Sequence, residues 1–141
     1  MALSEYHYRR RVQFQETDAS GIVHFTNFFK YAEEAEHAMW REAGLTIESS
    51  TSEIGWPRVA ASFEYLKALY FQDEIDVHLR IIAKSGKTIQ YRSVLTRNGI
   101  VVAVGTSTCI CVRKRPGEPL KAMDIPPDID ARFGVAPAED A

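Results

Sequence analysis

The residues best suited to chemistry lie in Gln15 to Asn27, QETDASGIVHFTN. One carboxylate, Asp18, precedes the small, flexible Ala19-Ser20-Gly21 and then an apolar run that leads into a helical pattern. A helix start offers unpaired backbone N–H groups and the positive end of the macrodipole. An acid beside such donors is either a local structural device or half of an active site. In the second case the carboxylate serves as nucleophile or general base, and a backbone N–H stabilises a developing oxyanion. In the first, Thr17 to Gly21 is simply good turn chemistry, with Asp18 accepting an N–H two residues on and Gly21 at positive φ. Glu16 reads as a solvated neighbour and Asn27 as a helix cap.

The elements that must hold this stretch follow from periodicity. Tyr8 to Phe14 alternates as a first strand, with Tyr8, Arg10, Val12 and Phe14 on one side. From Thr26 or Asn27 to Ala43 the period changes: Phe28, Ala32, Ala35, Met39 and Ala43 form an apolar stripe, and Glu33, Glu34 and Glu36 read as a solvated face. This predicts a helix of about 17 residues, roughly 25 Å long, capped by Asn27 or Thr26 and closed by Gly44. Four further alternating runs follow: Val59 to Tyr65, Ile75 to Ile81, Ile89 to Leu95, and a more continuously apolar Ile100 to Val112. Ser85-Gly86-Lys87 and Asn98-Gly99 are tight-turn signals that require antiparallel neighbours. The fold class is therefore α+β, a curved antiparallel sheet with one helix on its concave face, and the apolarity of the last strand predicts that it is central. Ala122 to Asp128 reads as an extended segment and a short helix begun at a proline.

The bulk properties restrict the function classes. At 141 residues the chain is most simply one domain spanning 1–141, with a core over about 8–133 and a frayed tail. A net charge of −2 gives no overall reason to hold nucleic acid or an anionic membrane. No apolar run is long enough to span a bilayer, and MALSEYHYRR lacks the apolar centre of a signal peptide, so a cytoplasmic address is expected. His7, His24, His37 and His78 are scattered without ligand spacing, so no metal centre is expected. Cys109 and Cys111 read as buried free thiols, in poor geometry for bonding to each other.

The junction as a whole resembles the hotdog-fold acyl-CoA thioesterases of the 4-hydroxybenzoyl-CoA thioesterase type. The matching places are Thr17-Asp18, Ser20-Gly21, Ile22-Val23, His24-Phe25, Thr26, Asn27 and Phe28, and Tyr65-Leu66-Lys67-Ala68 with Asp73-Glu74-Ile75 continues the likeness more loosely. The resemblance implies a five-stranded antiparallel sheet wrapped around one long helix, homodimers or homotetramers paired edge to edge, and an interfacial active site. It implies hydrolysis of an acyl-CoA thioester to a carboxylic acid and free CoA, without metal or cofactor. Asp18 then attacks the thioester carbonyl or activates water, and the Phe25 N–H polarises that carbonyl. Gly21, Ile22, Val23 and His24 shape the acyl entrance, although several relatives place Tyr-His where this chain has His24-Phe25. Acids on the helix can replace the loop acid in such enzymes, which makes Glu33 or Glu34 a second candidate.

CoA carries phosphates, and Lys84, Lys87 and Arg113 at strand ends are candidates to meet them by charge-assisted bonds; Lys and Arg also guard sheet edges. Trp56, Phe63 and Tyr65 are candidates for the pocket, or for core packing. Two other readings compete: a hotdog dehydratase acting on a hydroxyacyl thioester, and a non-catalytic acyl-binding oligomer in which Asp18 is only a turn residue.

Overall fold

The computed structural model describes residues 2–47 and 52–139. The middle of the polar stretch TIESSTSEIGWP, residues 48–51, lies outside them. In chain order the elements are β1 (Glu5–Arg11), α1 (Asn27–Glu42), β2 (Ile54–Gly55), β3 (Arg58–Tyr65), β4 (Glu74–Lys84), β5 (Thr88–Arg97), β6 (Ile100–Ile110), β7 (Val112–Arg113), β8 (Lys121–Ala122) and α2 (Pro127–Asp130). The main sheet is antiparallel in the order β1-β4-β5-β6-β3, and β2-β7-β8 forms a small second sheet.

Alternation decides which face of each strand meets α1. Ile75, Val77, Leu79 and Ile81 of β4 and Ile89, Tyr91 and Leu95 of β5 are buried, and they join Phe28, Tyr31, Ala35, Met39 and Trp40 of α1 in one core. Full burial of side chains of this size contributes on the order of 1.5–3 kcal/mol each. The helix ends in a Schellman motif: Leu45 N–H donates to Trp40 O, Gly44 N–H donates to Arg41 O, and Gly44 adopts φ +81°. Asn98 (φ +51°) and Gly99 (φ +76°) provide the paired left-handed residues that close the β5–β6 hairpin.

Several expectations are corrected. The first strand stops at Arg11, and Phe14, 71% exposed, opens a 3-10 turn, Phe14–Glu16, with its ring edge-on to Phe71. Alternation could not register this end, because Val12 still points inward after the ladder has stopped. The apolar strand β6 is interior but not central: β5 holds the centre, and Ile100 and Val101 at the start of β6 are exposed. Neither Thr26 nor Asn27 caps α1 through its side chain. Residues 134–139 are held in place. Gly134 N–H bonds to Leu3 O, Ala136 N–H bonds to Ile81 O, and Glu139 pairs with both Arg80 and Arg92.

Candidate active site

The stretch from Gln13 to Asn27 is folded by its own polar groups. Gly21 N–H donates to Asp18 O and Asp18 N–H to Ile22 O, so Asp18–Gly21 is a tight turn with Gly21 at φ +82°. The Ser20 N–H donates to Asp18 Oδ1 at 2.8 Å, which orients the carboxylate. Among the described residues no other hydrogen bond reaches that carboxylate. Beyond the turn, Ile22 bridges Tyr70 and Val23 N–H donates to Leu69 O, which ties the loop to the segment leading into β4.

Glu16 is the hub beneath the loop, not a solvated neighbour. Its side chain accepts from Arg10 Nη1 (2.7 Å), Tyr31 OH (2.9 Å) and Gln13 N–H (2.8 Å), and its carbonyl accepts from Asn27 Nδ2 and His24 N–H. Arg10 also lies over the Tyr31 ring at 4.4 Å. Burial and the Glu16 carboxylate push the Tyr31 phenol well up, so it remains a neutral donor. Asn27, expected as a cap, thus spends its amide on the loop. His24 bonds the N-cap residue: its Nδ1 bonds Thr26 Oγ1 at 2.7 Å and accepts from Thr26 N–H at 3.3 Å.

Asp18, Ile22, Val23 and Phe25 line one cleft of about 360 Å³, together with Phe28, Tyr65, Leu66, Lys67, Ala68 and Leu69. Phe25 stands two residues before α1 and is 58% exposed, and among the described residues no hydrogen bond engages its N–H. The Phe25 carbonyl accepts from Tyr65 OH at 2.9 Å. Desolvation raises the Tyr65 phenol above its ordinary value, which keeps it the donor. Chemically, the arrangement offers an oriented carboxylate and a free backbone donor at a helix start, inside an apolar cleft.

The other sequence candidates lie apart from this cleft. His24 packs on Phe25 with ring centroids 4.6 Å apart, and Gly21 sits at the exposed turn. Lys84 ends β4 some ten residues, or about 33 Å, from Glu74, and its Nζ is taken by Phe133 O and Asp130. Lys87 pairs with Asp124 at 2.6 Å, and Arg113 sits in β7 beyond the far end of β6. Trp56 packs edge-on to Trp40.

A second cavity, of about 230 Å³, lies between α1 and β3 and is lined by Phe29, Ala32, Phe63, Tyr91 and Gly105. Glu36 and Arg58 close it. Glu36, expected on a solvated face, is 1% exposed and accepts both Arg58 Nη groups, at 2.8 and 3.2 Å. Glu34 bonds Tyr8 OH and Arg10, while Glu33 reaches Arg58 only at 3.5 Å. Of the aromatic candidates Tyr65 lines the cleft and Phe63 the second cavity; the Leu66–Leu69 wall is what the sequence candidates missed. Its signal was the Tyr65-Leu66-Lys67-Ala68 match, which carried no chemistry of its own.

A profile described as the thioesterase-like superfamily matches residues 12–133. The chain belongs to that superfamily. The sheet wrapped around α1 is its hotdog architecture, as the strand-to-helix junction led one to expect. An Aquifex aeolicus protein provisionally named an esterase is 40% identical over 106 residues, 73% of this chain and 82% of that protein. The 1,4-dihydroxy-2-naphthoyl-CoA hydrolase of Synechococcus elongatus is 25% identical over 116 residues, 80% of this chain and 85% of the relative. Among solved structures, a gentisyl-coenzyme A thioesterase superposes with a TM-score of 0.80 at 28% identity, over 89% of this thioesterase and 99% of its own chain.

Proposed function

We propose that this thioesterase hydrolyses an acyl-CoA to a carboxylic acid and free CoA at the Asp18–Phe25 cleft, acting as a homodimer or larger homo-oligomer. One observation carries the reading: Asp18 and Phe25, seven residues apart, line the same cleft, the acid oriented by Ser20 and the Phe25 N–H unengaged. A thioester is already an activated acyl group, so these two parts suffice. The Phe25 N–H binds the carbonyl oxygen as it becomes an oxyanion, typically worth ~10²–10³ in rate for one donor. Asp18 either takes a proton from the attacking water or attacks the carbonyl itself, giving an anhydride that water then opens. In both routes the C–S bond breaks and the CoA sulfur leaves as thiol.

The aromatic lining of Phe25, Phe28 and Tyr65 supports a hydroxylated aroyl-CoA as substrate, in keeping with the relatives named for 1,4-dihydroxy-2-naphthoyl-CoA and gentisyl-CoA. The oligomer rests on β3, an edge strand paired only with β6, whose residues are largely exposed. If two copies pair antiparallel along β3, the Arg58 end of one lies beside the Tyr65 end of the other. Arg113, one strand in from that end, is then the best placed of the three basic candidates for the CoA phosphates, because Lys84 and Lys87 are committed to Asp130 and Asp124. The free thiols Cys109 and Cys111 support a reducing, cytoplasmic compartment.

The test is thiol release from CoA thioesters of 1,4-dihydroxy-2-naphthoate, gentisate, 4-hydroxybenzoate and straight-chain acids, with wild type, Asp18→Asn and Asp18→Ala. Wild-type turnover on the aroyl substrates is expected, with a loss of about 10²–10⁴ in both folded variants. Undiminished activity in both variants removes Asp18 from the mechanism, and silence across the panel removes the hydrolase reading.

A further inference from the structure

On the sheet face turned away from α1, the antiparallel register sets His7 of β1 directly opposite His78 of β4. Alternation puts Glu5 on that same face of β1 and Asp76 on that of β4, as the inward-facing, partly buried Tyr6 and Tyr8 and the buried Val77 and Leu79 require. Each imidazole is held by one carboxylate: His7 Nδ1 by Asp76 Oδ2 and His78 Nε2 by Glu5 Oε1, both at 2.9 Å. The rings stack with centroids 4.0 Å apart. One ligand atom from each of Glu5, His7 and His78 lies within 4.8 Å of the other two.

We propose that Glu5, His7 and His78 form a surface site for a divalent transition-metal ion of the zinc class, clipping the edge strand β1 to β4. Two imidazoles and a carboxylate are the donor set that such ions prefer over Mg²⁺ or Ca²⁺. Asp76 occupies His7 Nδ1, which fixes the tautomer and leaves Nε2 as the ligand atom, the usual part of a carboxylate behind a metal-bound histidine. Between His78 Nε2 and Glu5 Oε1 the ion replaces the shared proton. Tetrahedral ligation at 2.0–2.1 Å sets donor atoms about 3.3 Å apart, so the Glu5–His78 pair opens by a few tenths of an ångström while His7 closes in. The stacked rings must turn to aim both lone pairs at one point, and the His7 side chain, 59% exposed, has room to pivot about its bond to Asp76. Arg80 faces Glu5 across the ladder, but its guanidinium is engaged by Glu139 and the Pro137 carbonyl. The site shares no residue with the Asp18 cleft.

The experiment is calorimetric titration of chelator-treated protein with Zn²⁺, for wild type, Glu5→Gln, His7→Ala, His78→Ala and the double histidine variant, each checked by circular dichroism. One saturable Zn²⁺ per chain is expected in wild type. Affinity should fall at least about tenfold in each single histidine variant and disappear in the double variant, with the Zn²⁺-induced rise in melting temperature largest in wild type, smaller in the single variants and absent from the double variant. Thioester hydrolysis without Zn²⁺ should be unchanged in all of them. Absence of saturable binding to wild type, or retention of wild-type affinity in the double variant, overturns the proposal.

Discussion

The Tyr65 hydroxyl donates a 2.9 Å hydrogen bond to the Phe25 carbonyl, joining edge strand β3 to a residue two places before α1. Tyr65 therefore holds the residue whose N–H is the proposed oxyanion donor. A hydrogen bond of this kind contributes about 0.5–1.5 kcal/mol net, equivalent to roughly twofold to tenfold in rate. Tyr65→Phe is expected to lower kcat by that factor, with KM little changed. Steady-state kinetics that show only a KM effect would make Tyr65 a wall of the cleft and no more.

The Arg58–Glu36 pair predicts an asymmetry. Arg58 lies on the exposed edge strand, so after Glu36→Ala its guanidinium can turn to water, whereas after Arg58→Ala the Glu36 carboxylate stays buried without its cation. Breaking a fully buried pair costs about 3–5 kcal/mol. Arg58→Ala is expected near the lower end of that range and Glu36→Ala below it. The double variant should lose less than the sum of the two. Urea unfolding of the three proteins checks the order, and equal single losses would contradict it.

Cys109 carries a pH prediction. Burial, reinforced by the Glu36 charge, pushes its thiol from an ordinary 9.0 up to about 12, and burial also raises Cys111. The reactive species is the thiolate, so rising pH should not activate Cys109 until near its shifted value. At pH 9 its thiolate fraction lies on the order of 10³-fold below that of an open thiol. Iodoacetamide labelling followed by mass spectrometry should find both cysteines unmodified in native protein and both modified in urea. Rapid native labelling of Cys109 would show that the core around it opens.

What could be read in the sequence was what lies close along it. Asp18, Ile22, Val23 and Phe25 fall within eight residues, so a local pattern was enough to bring them to one cleft. The order of elements and the hairpins followed from alternation and turn residues. The charged groups that proved structural were legible only through helix-on-sheet packing and strand register. Glu36 meets Arg58 across 22 residues, and His7 meets His78 across 71. Helical periodicity had set Glu36 on the wet face, and nothing in its neighbours announced the arginine waiting on β3. The rank of β6 was likewise hidden, since an apolar strand next to the edge and one at the centre have the same composition.

Glu16 decides how stiff the site is. Its carboxylate and carbonyl together hold β1 through Arg10, α1 through Tyr31 and Asn27, and the turn through Gln13 and His24. The segment bearing Asp18 cannot lift away without breaking bonds that belong to the helix and the sheet. Its hydrogen-bonded amides, those of Asp18, Gly21, Val23 and His24, should therefore exchange with solvent deuterium on the slow schedule of α1, unlike those of an ordinary surface loop. On the proposed reading, substrate then meets a surface already shaped around Asp18.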